Sequence, residues 1–483
     1  MNFQTRTLAL DAARGPSILL VALVILAAGC VRYHPKPIEA SKSLADYETR
    51  RLDSQGLKSF LQNKAGVKEW PPQTWDLRAL TLAAYYYSPD LDIARAQWAA
   101  AKAGRVTAGE RPNPTISGLI GYNSTTPVSE VSPWIPEVSL EIPIETAGKR
   151  GFRILQARQL SEAARLNIIS VAWDVRSRLR QALLDLYAAG EAETLFSQQL
   201  SIQDESVRIL EAQLNVGEVS AYDVTQARIA RDNSRLAAVD AANERAAARI
   251  RLGTVLGVPT KALDGMNLSF EGLTRVAVDL PSDEVQRRAL VSRSDILAAL
   301  AEYEAAQAAL RVEIAKQYPD LALGPGYQLD QTDNKWTLGL SLILPLLNQN
   351  KGPIAEAEAH RAEIGARFLA LQARVIAEVE SAVRAARAAA DKAGTADAIL
   401  ANLKKQEAAA QARFKAGEIS KLELLGIEQE IAAGALARLE ALVKAQQAAA
   451  GLESAMQSPL DLKDWVLETP VRSADPTKEH KDE

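Results

Sequence analysis

Residues 138–150 of the chain read VSLEIPIETAGKR, and residues 340–352 read LSLILPLLNQNKG. Both stretches begin with apolar residues at every second position, which is typical of a strand with one apolar face. Both then contain a proline, a short turn and a lysine next to a glycine, before a long run with helical spacing begins. The order of strand, proline joint and long helix therefore occurs twice, and it decides the fold.

The rest of the 483-residue chain repeats around these two stretches. SPDL at residues 88–91 returns as RSDI at residues 293–296, and GEVS at residues 217–220 returns as GEIS at residues 417–420. Collinear matches at a spacing of about 200 residues indicate a tandem duplication. The predicted segments are a first repeat at 76–267, a linker at 268–282 and a second repeat at 283–465.

Four segments have the period-two pattern of strands, and we predict strands at about 115–123, 136–144, 320–329 and 336–345. Apolar residues on one face alternate with small or polar residues on the other, as a strand between lipid and water requires. Half-buried strands of an ordinary water-exposed sheet would have a similar pattern, and the strands alone leave this alternative open. Four strands cannot close a barrel in lipid, whereas three copies of the chain would supply twelve.

Most of each repeat outside the strands is predicted to be helical. Residues 76–110 are alanine-rich with helical spacing up to the prolines Pro112 and Pro114. Two very long helices are predicted at about 147–215 and 353–415, where apolar residues follow the alternating spacing of a coiled coil. A helix of this length would extend on the order of 100 Å. Each is expected to end at a glycine and to fold back into a return helix that a serine caps.

The amino terminus has the features of a lipoprotein signal peptide. Arg6 and Arg14 precede an apolar run at residues 16–28 that is too short to span a bilayer. The run leads into LAAGC, which is similar to the site where a bacterial peptidase cuts before a cysteine that carries lipid. We therefore predict that Cys30 is lipidated. The predicted boundaries are 1–29 for the signal peptide, 30–75 for a lipid-anchored segment and 466–483 for a charged tail.

Several function classes find no support in the composition. The formal net charge is −4, which offers no electrostatic basis for binding nucleic acid. Cys30 is the only cysteine, so one chain cannot form a disulfide or a thiolate metal site. The three histidines, His34, His360 and His480, lack metal-ligand spacing, and no catalytic or phosphate-binding motif stands out. We therefore expect no enzymatic activity, no metal and no cofactor apart from covalent lipid on Cys30.

The duplicated order of strand hairpin, long helix, tight tip and return helix, following a lipidation site, resembles the TolC family of outer-membrane efflux proteins. The tip NVGEVSAYDV at residues 215–224 is similar to the Val-Gly tip motif of that family. The resemblance extends over nearly the whole mature chain, from near residue 40 to near residue 465. The lipoprotein start resembles the branch that serves resistance-nodulation-division pumps, which includes heavy-metal exporters.

This resemblance implies a mainly helical fold with a small β part. In the family, long antiparallel helical hairpins and four transmembrane strands from each chain form a homotrimer. Its twelve-stranded β-barrel crosses the outer membrane, and its helices form a tunnel through the periplasm. The chain would then be the lipid-anchored exit duct of a tripartite efflux system in a Gram-negative bacterium. The implied partners are a periplasmic adaptor (membrane fusion protein), an inner-membrane pump of the resistance-nodulation-division type and outer-membrane lipid.

The resemblance also implies where partners and cargo meet the chain. By motif position, adaptor contact falls on the two tips, at Gly217, Glu218, Val219, Ser220, Gly417, Glu418, Ile419 and Ser420. Acidic residues that face the lumen form the gate in the family. One position is Glu423, with Asp223 as its companion in the first repeat, whereas the family's second acidic position is Gly426 here. Both carboxylates are equally well explained as ordinary solvated residues on helices.

Two other functions remain open on the sequence. A type I secretion outlet has the same family architecture, and the sequence does not separate drug, metal or protein cargo. A lipid-anchored periplasmic coiled-coil scaffold without a pore would also contain long alanine-rich helices. Such a scaffold would not need paired alternating strands or prolines at the strand-to-helix joints, so the channel is favoured.

Overall fold

The computed structural model describes residues 33–65, 70–125, 131–275 and 283–460. The chain divides into two compact units, residues 1–49 and 50–483. The described part of the first unit contains one helix, α1 (Ala40–Glu48). The predicted signal peptide with Cys30, part of the predicted linker and the charged tail lie outside the described residues.

The second unit is mainly helical with a small sheet. Its helices are α2 (Gln55–Ala65), α3 (Leu77–Tyr87), α4 (Pro89–Gly109), α5 (Lys149–Asn215), α6 (Ala221–Leu256), α7 (Asp283–Ser292), α8 (Ser294–Ala315), α9 (Lys351–Lys415) and α10 (Lys421–Met456). Its strands are β1 (Thr115–Tyr122), β2 (Trp134–Ile144), β3 (Leu321–Asp330) and β4 (Asp333–Leu342). Among the described helices, none combines the length and the apolar character that crossing a bilayer requires. The order α3-α4-β1-β2-α5-α6 recurs as α7-α8-β3-β4-α9-α10.

The helical run predicted at residues 76–110 is two helices rather than one. α3 ends at Tyr87, and Ser88 is extended with a φ of −69° and a ψ of 117°. The Ser88 hydroxyl then accepts a hydrogen bond from the Leu91 backbone N–H at 3.5 Å. Pro89 suits the first helical position, where no intrahelical partner exists for an N–H. The serine and the proline therefore impose a break between two helices that are each rich in apolar residues and alanine.

The four strands form one antiparallel sheet in the order β1-β2-β3-β4. The central pair, β2 and β3, comes from different repeats, with Ile144 opposite Leu321. This pairing joins the two repeats inside one chain. β1 and β4 are the edges of the sheet, so each has one strand neighbour.

β4 differs from the strand predicted at 336–345. It begins earlier because a two-residue turn, with Gln331 at a φ of 61°, brings Asp333 opposite Asp330. It ends earlier because the last pair joins Leu342 to Leu321, where β3 begins. Leu344 continues the apolar row of Leu340 and Leu342, but Ile343 beside it is apolar too, and no strand lies beside these residues within the described chain.

The two long helices are confirmed. α5 has 67 residues and α9 has 65, so each extends on the order of 100 Å. Each begins after a residue in the left-handed conformation, Gly148 with a φ of 74° or Asn350 with a φ of 59°. α5 then packs along its return helix α6, and α9 packs along α10.

The largest apolar core lies where α5 passes α2, α3 and the end of α6. Its fully buried side chains include Leu80, Leu183 and Leu252. Along α9 and α10 the buried clusters are smaller, as with Ala393 against Ala441. Because stabilisation by burial scales with apolar area, the core beside α5 contributes most, and the far ends of the hairpins contribute less.

Glu453 is the centre of a buried polar cluster between α5 and α10. Its side chain is 1% exposed, accepts a hydrogen bond from Arg176 Nη1 at 2.5 Å and lies 2.6 Å from Arg180 Nη1. The Gln446 side chain accepts from Arg180 Nη2 at 3.1 Å and donates to the Arg275 carbonyl at 2.6 Å. We call Arg176, Arg180, Gln446 and Glu453 the arginine clasp, because it links a helix of the first repeat to a helix of the second.

The arginine clasp holds its carboxylate ionised. Burial alone would raise the pKa of Glu453, because a charged carboxylate loses hydration in the interior. The charges of Arg180 and Arg176, together with their hydrogen bonds, outweigh this effect, so the pKa lies below its ordinary value. At neutral pH the clasp therefore places two positive charges around one negative charge.

Candidate channel surfaces and hairpin tips

One face of the sheet is apolar from edge to edge. Its cross-strand partners include Ile116 opposite Leu140, Val138 opposite Tyr327, and Leu323 opposite Leu340. Many of these side chains are exposed in the single chain, and Leu338 is 77% exposed. A contiguous exposed apolar surface indicates contact with lipid or with another protein surface.

Aromatic pairs lie near the hairpin ends of this apolar face. The ring centroids of Tyr122 and Trp134 are 5.0 Å apart, and those of Tyr327 and Trp336 are 4.9 Å apart. The strand from Trp336 to Leu342 rises about 20 Å at the usual distance per residue. Transmembrane sheets have an apolar band about 25 Å tall that is bordered by aromatic residues. The period-two pattern predicted the strands, but it did not predict that these rings border the apolar face.

The opposite face of the sheet is small or polar. Its side chains include Ser117, Glu137, Ser139, Glu141, Gln328, Thr337 and Ser341. Glycines Gly324 and Gly339 lie opposite each other on the same face. Leu119 and Ile135 are apolar residues that also lie on this otherwise polar face. The predicted division into a lipid-compatible face and a water-compatible face is therefore present in the sheet.

The two hairpin tips have the same backbone geometry. Gly217 and Gly417 have φ values of 79° and 78°, in the left-handed region that favours glycine. The Glu218 N–H donates to the Gln213 carbonyl, and the Glu418 N–H donates to the Arg413 carbonyl, both at 2.9 Å. This is the Schellman arrangement, which satisfies carbonyl groups at a helix end. The predicted tip sequences therefore build two matching turns.

The predicted gate residues both lie in the first turn of a return helix. The Ser220 hydroxyl accepts from the Asp223 backbone N–H at 3.2 Å, and the Asp223 carboxylate accepts from the Ser220 hydroxyl at 2.6 Å and from its N–H at 3.1 Å. These bonds from Ser220 hold the pKa of Asp223 below its ordinary value. Ser420 accepts from the Glu423 backbone N–H at 3.1 Å, and Glu423 is exposed. Asp223 thus has a capping role in addition to any role at a gate.

The side chains at the tips differ in exposure. Ile419 is buried with Ala410 at the second tip. At the first tip Val216 is 71% exposed and Tyr222 is 70% exposed. These two apolar side chains were not among the predicted contact residues, although their type at a solvent-exposed turn is a signal that the sequence contains. Within the described ranges, no group of three or more His, Cys, Asp or Glu residues could hold a metal ion.

Comparison with known proteins agrees with this architecture. The family described as Outer membrane efflux protein matches residues 83–258 and again residues 285–457. The chain belongs to the outer membrane efflux protein family. The two matches fall on the two repeats of the chain, and the resemblance to the TolC family is confirmed.

Two named relatives are about a quarter identical to this chain over the residues that align. The cobalt-zinc-cadmium resistance protein CzcC of Cupriavidus metallidurans is 26% identical over 271 residues, which are 56% of this chain and 62% of that protein. The pyoverdine export outer membrane protein OpmQ of Pseudomonas aeruginosa is 25% identical over 301 residues, 57% of this chain and 62% of that protein. The matches thus span about six tenths of each curated relative.

A solved structure shows the same fold. The outer membrane protein VceC of Vibrio cholerae superposes with a TM-score of 0.64 at 19% identity, over 79% of this chain and 96% of that one. The mainly helical fold with a small four-stranded antiparallel sheet is therefore the fold of this family.

Proposed function

We propose that this chain is one of three identical subunits of an outer-membrane efflux channel, the exit duct of a tripartite pump. The main support for this proposal is the sheet, because one of its faces is apolar with aromatic borders and the other face is polar. Such a sheet separates lipid from water. The edges β1 and β4 expose backbone groups that lipid cannot satisfy, so the sheet must close on further copies.

Three copies supply twelve strands, and their long helices continue the pore away from the membrane. A ring of identical subunits arises when one surface of each copy contacts a different surface of the next. The tips at Gly217 and Gly417 lie at the far ends of the helices and are available to a periplasmic adaptor. An inner-membrane pump, of the resistance-nodulation-division type, then delivers cargo to the duct.

The cargo we propose is a small solute or ion. CzcC is named for cobalt, zinc and cadmium resistance, and OpmQ is named for pyoverdine export. Both names concern small cargo, which favours efflux of small solutes over a protein-secreting outlet. The channel itself needs no metal-binding residues for this role, because the pump selects the cargo.

The decisive experiment is reconstitution of the purified full-length chain. We expect a mass of three subunits in detergent by native mass spectrometry, and stepwise conductance in planar lipid bilayers. A trimer without conductance under any applied voltage, or a monomer that stays in the aqueous phase, would favour the coiled-coil scaffold instead.

Lipid on Cys30 forms a separate part of the proposal. We expect that Cys30→Ser abolishes incorporation of labelled palmitate, because the thiol is the only possible attachment point for the diacylglycerol. The trimer should still form, since no disulfide depends on the only cysteine. Persistent palmitate labelling of the variant would contradict the lipidation site.

The third part of the proposal is a gate formed by Glu423 and Asp223. Three copies of each carboxylate around a narrow pore would attract cations and repel anions. We expect the double variant Glu423→Gln, Asp223→Asn to lower cation preference in bilayers at 0.1 M salt. Asparagine keeps an acceptor oxygen for the helix cap, so trimer yield should not change.

Salt and a control variant sharpen the gate experiment. The Debye screening length falls from about 10 Å at 0.1 M salt to about 3 Å at 1 M. The difference in cation preference between the double variant and the wild type should therefore shrink at high salt. Glu430→Gln removes an exposed carboxylate further along α10 and should leave selectivity near that of the wild type. Unchanged selectivity of the double variant at low salt would make both residues ordinary solvated carboxylates.

A further inference from the structure

The first repeat contains a cleft that lies apart from the sheet and from the tips. It lies between α5 and α6, is bordered by residues 263–270 and has a volume of about 670 Å³. Sites for small molecules typically have volumes of about 300 to 1,000 Å³. Gly190, on the α5 side of the cleft, is about 60 Å along the helix from Lys149 and about 40 Å from Gly217. Neither lipid contact nor adaptor contact therefore accounts for this cleft.

One wall of the cleft is aromatic and is held in place by the backbone. The rings of Tyr187 and Phe270 line it, with centroids 5.6 Å apart and planes inclined by 40°. The segment that contains Phe270 is fixed by Trp75, whose N–H donates to the Asn267 carbonyl at 2.8 Å and whose carbonyl accepts from the Ser269 N–H at 3.0 Å. Because this wall is already ordered, binding a ligand would require little further ordering.

Two arginines line the cleft from α6. Arg245 Nη1 donates to Glu193 at 2.8 Å, and Arg249 Nη2 donates to Asp264 at 2.7 Å. The two arginine side chains are 58% and 41% exposed, and ion pairs in such positions stabilise a protein little. A guanidinium group has five N–H donors in a planar fork, so both arginines keep donors for a further carboxylate.

A carboxylate lines the same cleft from α5. Glu191 is exposed, and it makes no hydrogen bond or ion pair with the residues that the structure describes. It lies one helical turn from Tyr187. The neighbouring Gly190 lies close to α6, because a Cβ atom there would be 3.9 Å from Arg245 Nε. Charges of opposite sign therefore lie at one cleft, next to its aromatic wall.

We propose that this cleft binds the zwitterion of an apolar amino acid. The carboxylate of the ligand accepts hydrogen bonds from Arg245 and Arg249, its ammonium group lies beside Glu191, and its side chain packs on Tyr187 and Phe270. Hydrogen bonds between charged groups are the strong ones, and an aromatic side chain gains further contact with the two rings. This binding is separate from transport through the duct.

The charges that line the cleft favour a zwitterion over other small molecules. An anion would bind the arginines but would lie near the unpaired carboxylate of Glu191. A cation would bind Glu191 but would face two guanidinium groups. An uncharged apolar molecule would cover charged groups without giving them partners, which costs free energy. A short peptide with free ends has the same chemistry as an amino acid, with its two charges further apart.

Three compounds with the same indole ring test the proposal. L-Tryptophan has both charged groups, indoleacetate has only the carboxylate, and tryptamine has only the ammonium group. We expect isothermal titration calorimetry on the full-length protein in detergent to show that L-tryptophan binds at least about tenfold more tightly than either of the others. Glycyl-L-tryptophan, measured in the same way, distinguishes a peptide ligand from a free amino acid.

Variants of the two helices test the role of each charge. Arg249→Met should weaken the binding of L-tryptophan by at least about tenfold and should not weaken that of tryptamine. Glu191→Gln should weaken the binding of L-tryptophan in the same way and should not weaken that of indoleacetate. Arg208→Met is the matched control, because it changes an exposed arginine of α5 that is not among the residues lining the cleft.

A variant that fills the cleft tests the location. Ala246 is exposed and lines the cleft from α6, so Ala246→Trp should fold and should block the binding of every indole compound. Binding of L-tryptophan that survives this substitution would place the ligand elsewhere and would overturn the site.

The outcomes separate this inference from the proposed function. Equal affinity for the three compounds, or no saturable binding of either L-tryptophan or glycyl-L-tryptophan, would overturn the inference. A trimer that conducts ions and binds neither compound would leave the channel intact. Binding that depends on both Glu191 and Arg249 supports the site whether or not the chain conducts.

Discussion

We expect Glu453→Gln to lower the free energy of unfolding by about 3 to 5 kcal/mol, because it removes one partner of a buried ion pair. Glutamine keeps the shape of the side chain but removes the negative charge that Arg176 and Arg180 share. Two positive charges then stay in the interior between α5 and α10. Denaturant unfolding of the trimer in detergent, followed by circular dichroism, measures the loss.

A matched control and a second variant define the origin of this effect. Glu440→Gln removes an exposed carboxylate from the same helix, and we expect a change within about 0.5 kcal/mol. The double variant Glu453→Gln, Arg180→Met should be destabilised by less than the sum of the single changes, since the two side chains are coupled. Strict additivity would show that the clasp does not act as a unit.

The same residue predicts a pH dependence. The pKa of Glu453 is lowered in the folded chain, so its stabilisation is fully present above the ordinary pKa of about 4.3 for an unfolded glutamate. It is lost as the pH falls from there through the folded pKa, because protonation removes the charge. The stability difference between wild type and Glu453→Gln should therefore be constant from pH 7 to about pH 5 and should shrink below that. A difference that grows in acid would contradict the assigned ionisation.

The second large effect concerns the apolar face of the sheet. We expect Leu340→Arg to reduce folding stability in the membrane by about 2 to 4 kcal/mol, because a charge would face lipid near mid-membrane. Leu340 lies opposite Leu323 and is 63% exposed in the single chain. Folding into lipid vesicles, measured as the heat-modifiable shift in gel mobility across a urea series, reports this loss.

Ser341→Arg is the control for the sheet, because the neighbouring residue lies on the polar face beside Ala322. We expect it to insert with a much smaller loss, since its side chain would reach water in the pore. Equal losses for the two variants would contradict the assignment of one face to lipid and the other to water. Greater tolerance of Leu340→Arg would reverse that assignment.

The sequence predicted most of the fold because the periodic signals were long. α5 and α9 have uninterrupted helical spacing over many turns, and a glycine followed by a capping serine marks each tip. The duplication supported the prediction of each helix and strand, because its pattern could be compared with that of the second copy. The same comparison of the two repeats identified the serine that caps each return helix. Asp223 and Glu423 follow that serine and lie in the first helical turn.

The sequence could not predict features that depend on what lies beside a segment. The end of β4 follows from where β3 begins, and the period-two pattern says nothing about a neighbour. The break at Ser88 was missed because the segments on both sides of it have helical patterns, although a serine followed by a proline is a helix-start signal. The arginine clasp joins α5 to α10, which are far apart in the chain, so no local pattern links Arg180 to Glu453.

The backbone geometry of the tips has an evolutionary consequence. Each turn is closed by main-chain hydrogen bonds and a left-handed glycine, so the fold does not depend on the side chain of Glu218 or Glu418. With the adaptor at the tips, as proposed, mutations there would change partner preference without a loss of stability for selection to oppose. Ile419 is buried and therefore less free to vary, whereas Val216 and Tyr222 are exposed. Lineages that acquire a new adaptor should accordingly diverge first at the tip of the first repeat.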